Sequence, residues 1–236
     1  NPEIINTESK NPFPFNNLFL IKGLTTGNNN AGFYMLSMVA AFLGYLTFQL
    51  IMLVPLMAAA TSNGIKTETI LKDPNILFNP DAIGMNRSAV LALMMGMFVF
   101  TLLFFAIAIK YIQKKTLTSV ITGFDKIRWK RYFFSFGIWT ALLLVFTVIS
   151  YLLAPEELVL KFDASKFAVL LIVAIIFIPI QTATEEILFR GFLMQGFGLA
   201  FKNGIMPLII TSVLFFLMHG TNPEVKEHGL FIMMPY

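Results

Sequence analysis

Three charges, Glu185, Glu186 and Arg190, interrupt an otherwise uncharged stretch from Phe167 to Phe201. A charge near the centre of a bilayer costs on the order of 3 kcal/mol, so such side chains usually face a cavity and serve a function. Glu186 and Arg190 are four apart, share one face of a helix and can pair. Glu185 points about 100° away from Glu186, and its own neighbours four residues off are Gln181 and Phe189, neither of them cationic. The spacing therefore predicts a paired, supporting Glu186 and a Glu185 available as general base. The competing reading is a helix end emerging into water, with Arg190 snorkelling to the interface.

A second constellation, Phe215-x-x-x-His219, closes the next apolar run and is followed by Asn222. A lone histidine at a helix end is most often a surface or capping residue. The two motifs, however, flank one tight turn near Asn203. Glu185 lies 18 residues before it and His219 lies 16 after it. At a rise of about 1.5 Å per residue these are about 27 and 24 Å from the turn, nearly the same depth in an antiparallel hairpin. A carboxylate and an imidazole at one level can hold and deprotonate a water.

These groups must be positioned by membrane helices. The 236 residues are 57% hydrophobic and only 13% charged, against about 25% charged in a soluble domain; mean hydropathy is +0.76. Four uncharged runs, Phe33–Ala60, Ser88–Ile109, Tyr132–Pro155 and Phe167–Thr184, approach or exceed the roughly 20 residues a span requires, and a fifth, Asn203–Met218, is shorter. The expected fold is all-α, a polytopic transmembrane bundle with at least five spans in this chain and more beyond its end. Residues 1–32 read as a polar N-terminal arm and 33–236 as one transmembrane domain, with the motifs in 165–225. Thr61–Arg87 reads as a long polar loop with balanced charge. Lys110, Lys114, Lys115, Lys126, Arg128, Lys130 and Arg131 face only Asp125, which marks that loop as cytoplasmic. It is a topology determinant in contact with anionic lipid, and no nucleic-acid partner is expected. Gly229–Tyr236 begins a further apolar run too short to cross a bilayer, so the chain is expected to continue in a longer protein.

Together Glu185-Glu186-x-x-x-Arg190 and Phe215-x-x-x-His219 resemble the type II CAAX prenyl endopeptidases and the related bacterial CAAX-protease and bacteriocin-processing family, which are glutamic-type intramembrane proteases. The resemblance covers roughly residues 165–225. It implies that Glu185 activates the hydrolytic water and His219 assists, with Glu186, Arg190, Phe215 and Asn222 in support. A further His-x-x-x-Asn motif of the family is absent here, since His228 is followed four residues later by Ile232; it is expected beyond Tyr236.

The implied function is hydrolysis of a peptide bond in a membrane-associated peptide or protein, in a bacterial cytoplasmic membrane, with no cofactor. Zinc catalysis would require three protein ligands; Glu185, His219 and His228 form the one plausible set, and no His-Glu-x-x-His occurs. With no Cys, and no Ser beside a recognisable His and Asp, nucleophilic catalysis finds no support. A proton-coupled transporter would show repeated halves with broken helices, and none is visible. The remaining alternative is a family member that does not cleave, serving as scaffold or accessory subunit of a membrane complex.

Overall fold

The computed structural model describes residues 17–157, 159, 161–220, 222, 225 and 229. Nine α-helices follow one another, and there is no strand among the described residues. They are α1 (Leu18–Thr25), α2 (Ala31–Ser62), α3 (Thr67–Lys72), α4 (Arg87–Tyr111), α5 (Leu117–Ile121), α6 (Trp129–Leu153), α7 (Ala164–Glu186), α8 (Met194–Phe201) and α9 (Ile205–His219). A π-helical turn, Ile187–Leu193, joins α7 to α8 without a break.

Among the described residues four helices are long and apolar enough to cross a membrane: α2, α4, α6 and the continuous segment Ala164–Phe201. The fifth apolar helix, α9, has 15 residues. At 1.5 Å each that is about 22 Å, short of a hydrocarbon core of about 30 Å. Of the five spans expected, four are thus long enough to cross among the described residues, and the fifth is this shorter apolar helix. Three of their starts are set by side chains that accept from first-turn N–H groups. Asn30 caps α2, Asn86 caps α4 and Asp163 caps α7. Asp163 is held down at about 2, chiefly by the Ser165 hydroxyl and the Lys166 N–H.

Helices α2 and α4 pack most extensively, and α7 joins them across α4. Close approach comes from small residues. A Cβ on Gly44 would meet the Phe100 carbonyl oxygen at 2.5 Å, and one on Gly96 would meet the Phe48 ring. In contrast, no residue of α6 is buried against the described residues.

The segment Thr61–Arg87, expected as a polar loop, folds back on the outer end of α2 and α4. Helix α3 and the 3-10 turn Pro74–Phe78 bury Ile70, Leu77 and Ile83 with Met52, Leu56 and Val90. Ile65, Ile76, Phe78 and Met85 of the same segment pack partly buried against them. Part of the N-terminal stretch is also packed: Leu20, Ile21 and Leu24 of α1 are buried, and α1 lies against α8 and α5.

Lys115, counted with the surface charges of the basic loop, lies inside this layer and is only 5% exposed. Its ammonium donates to the Gly23 carbonyl of α1 at 2.6 Å and to the Tyr34 hydroxyl of α2 at 3.1 Å. No carboxylate pairs with it among the described residues. Burial pulls its proton affinity down to about 8.

Candidate functional site

The rotation of α7 is set one residue before the acidic pair. Thr184 is buried, and its hydroxyl donates to Ile180 O at 2.7 Å while lying 3.3 Å from Phe98 O of α4. With Thr184 turned into α4, Glu185 falls about 100° round the helix. There it is close enough to His219 of α9 for their charges to interact. The Gln181 amide donates to Glu185 Oε1 at 3.3 Å, so the carboxylate has a neutral neighbour rather than an empty surrounding. Glu186 takes the other face and is bonded to Arg190. Both members of that pair are partly open, at 39% and 48% side-chain exposure for Arg190 and Glu186, so the pair is not an isolated buried one.

The 215/219 spacing has a direct geometric content. Residues four apart stack on one helix face, and the Phe215 and His219 rings lie 4.5 Å apart between centroids. Phe215 also receives the Phe189 ring edge-on at 5.5 Å and the Arg190 guanidinium at 4.8 Å from its centroid. One buried ring therefore joins the acidic motif to the histidine. His219 Nδ1 is 2.8 Å from the Phe215 carbonyl oxygen. A carbonyl only accepts, so Nδ1 carries the hydrogen and the lone pair of the neutral ring sits on Nε2. The Asn222 N–H donates to the His219 carbonyl at 3.0 Å, which closes the turn after α9 and places Asn222 beside the site through its backbone. His228, the third member of the zinc set considered above, lies outside the described residues.

The hairpin expected from spacing does turn near Asn203, but its first arm is not regular α-helix throughout. Immediately after Glu186 the chain widens into the π turn, and Lys202 then reverses it in a left-handed conformation, φ 50°. A π turn bonds i to i+5, so it advances less along the axis than an α turn, and such turns occur often at functional sites. It swings Leu188, Phe189 and Phe192 inward together. Phe192 meets Tyr34 at 4.7 Å and Phe105 edge-on at 5.0 Å, forming the core beneath the site. Gly191 is required here by close approach, since a Cβ would meet the Val120 carbonyl oxygen of α5 at 2.5 Å. Thr184, Phe189 and the π turn were missed from sequence. The available signals were a small hydroxyl residue directly before the acidic pair and a glycine directly after Arg190.

Residues 164–235 match the family model described as Type II CAAX prenyl endopeptidase Rce1-like. This segment is Rce1-like. The matched stretch contains α7, the π turn, α8 and α9, and with them Glu185, Glu186, Arg190, Phe215, His219 and Asn222. A curated relative, "Uncharacterized protein YyaK" of Bacillus subtilis (strain 168), is 33% identical over 170 residues. That alignment covers 71% of this chain and 57% of YyaK, so the chain spans a little over half the length of that relative. No solved structure matches the chain. Four helices long and apolar enough to span make this an integral membrane protein, and its segment 164–235 matches the model of a peptidase family.

Proposed function

We propose that this Rce1-like protein is an intramembrane endopeptidase of a bacterial cytoplasmic membrane, cleaving a peptide bond in a membrane-associated peptide or protein. The observation that supports this most is the division of the two carboxylates: Glu186 is tied to Arg190, whereas Glu185 accepts from the neutral Gln181 amide and lies within electrostatic range of His219. In this reading Glu185 takes a proton from water while His219, oriented by its Nδ1 contact to Phe215, helps hold that water through Nε2. The hydroxide attacks the carbonyl carbon. Glu185 then returns the proton to the amide nitrogen as the C–N bond breaks, so protons balance over the cycle. Arg190, Phe215 and Asn222 act as positioning residues.

The test is turnover of a membrane-associated peptide by purified protein, with melting temperature measured alongside. Glu185→Gln keeps the size and hydrogen-bonding capacity of the side chain but cannot accept the proton. It is expected to abolish turnover and leave melting within a few degrees. Full turnover by Glu185→Gln refutes the general-base role. Absence of turnover in both wild type and variant, across peptides cleaved by other Rce1-like proteins, favours a scaffold or accessory subunit instead.

A further inference from the structure

The basic loop leads into α6 beside a cleft of about 480 Å³ whose walls include Ile121, Ile127, Arg128, Arg131, Phe136 and Trp139. Two guanidiniums therefore share one opening, and neither has a carboxylate partner among the described residues. The loop's one acid, Asp125, is engaged elsewhere, 2.6 Å from the Lys22 ammonium of α1. The Arg128 guanidinium lies 4.1 Å over the Phe124 ring, a cation–π contact that does not use up its N–H donors. No side chain caps the first turn of α6, so the positive end of that 25-residue helix adds to the field at the same place.

Phe136 and Trp139 continue the cleft along α6. From Arg131 to Trp139 is eight residues, about 12 Å down the helix axis. Charge thus sits at the mouth and aromatic surface below it, with Trp129 and Tyr132 exposed at the level where aromatic residues mark the membrane interface. The described residues bury no side chain of α6. A ligand that fits both ends has an anionic head and an apolar tail.

We propose that this cleft binds one anionic glycerophospholipid from the leaflet that α6 enters, its phosphate held by Arg128 and Arg131 and an acyl chain laid along Phe136 and Trp139. Planar, forked guanidiniums suit a phosphate's paired oxygens. The excess of basic residues selects an anionic headgroup over a zwitterionic one.

Native mass spectrometry of the purified full-length protein, with phosphatidylglycerol or phosphatidylcholine of identical acyl chains, tests this. The wild type is expected to retain one phosphatidylglycerol at least about tenfold better than phosphatidylcholine. Arg128→Gln/Arg131→Gln should lose that preference. Lys126→Gln/Lys130→Gln, which removes the same charge from the same loop but outside the cleft, should keep it. Arg128→Lys/Arg131→Lys preserves the charge that sets topology and should retain the adduct several-fold less well, so a folding defect in the Gln pair leaves the proposal testable. Equal retention of the two lipids by wild type overturns the proposal. So does equal loss in both Gln pairs, which would mean loop-wide attraction without a site.

Discussion

Replacing Lys115 with Met tests how the layer beneath the site is held. The ammonium is bonded to Gly23 O and to the Tyr34 hydroxyl, and burial lowers its proton affinity from the ordinary 10.5 to about 8. At about 1.4 kcal/mol for each tenfold, the charged form is disfavoured in the folded protein by about 3 kcal/mol. The sign follows from linkage: between pH 8 and 10.5 the unfolded chain binds more protons at this position than the folded one, so stability rises with pH. The gain is nearly complete by pH 10.5 and vanishes below about pH 7. Lys115→Met has no such proton, so its stability should miss this rise while sharing every other titration. For a chain of this size each kcal/mol corresponds to roughly 2–4 °C. The wild-type melting temperature, measured in detergent by loss of the monodisperse species, should therefore gain about 6–12 °C on the variant between pH 7 and 10.5. Parallel curves for the two proteins would refute the buried-ammonium account.

Four further outcomes are expected. Gly191→Ala should lower melting temperature and turnover together, because its Cβ has no room beside the Val120 carbonyl; a variant with wild-type values shows that α5 yields. Arg190→Lys keeps a cation for Glu186 but removes the guanidinium stacked on Phe215, so turnover should fall several-fold with inserted protein unchanged, and unaltered kinetics argue against that contact. Leu77→Ala, at a residue 3% exposed, should cost about 2–5 kcal/mol, read as a lower melting temperature; a neutral result means the folded-back segment does not stabilise α2 and α4. Cysteine introduced at Thr118 should resist an impermeant thiol reagent in intact cells, as the excess of Lys and Arg around it requires, and rapid labelling reverses the orientation.

The spans were legible because charge is so scarce in them: each observed end lies within a few residues of a Lys, Arg, Asp, Glu or capping Asn. The Glu186–Arg190 pair and the shared face of Phe215 and His219 followed from four-residue spacing alone. What could not be read depends on what the rest of the chain supplies. A lysine in a run of basic residues reads as solvated, and only the arrival of α1 and Tyr34 buries Lys115. Ile70, Leu77 and Ile83 are too sparse to signal a packed segment until α2 and α4 present a surface for them. The π turn carries the same apolar pattern as the α-helix around it. The Val120 carbonyl that closes on Gly191 within it lies some seventy residues earlier in the chain.

That turn also bears on how the chain tolerates length changes. Each π turn accommodates one residue more than the α turn it replaces. Removing a single residue between Ile187 and Leu193 could thus convert the segment to continuous α-helix while α7 and α8 keep the faces they now present. A one-residue deletion elsewhere in Ala164–Phe201 would instead rotate everything beyond it by about 100°, taking Gln195 and Gly198 off α1. The junction after the acidic pair is therefore the one register-neutral seam in this helix, where a gap in an alignment need not mean a different architecture.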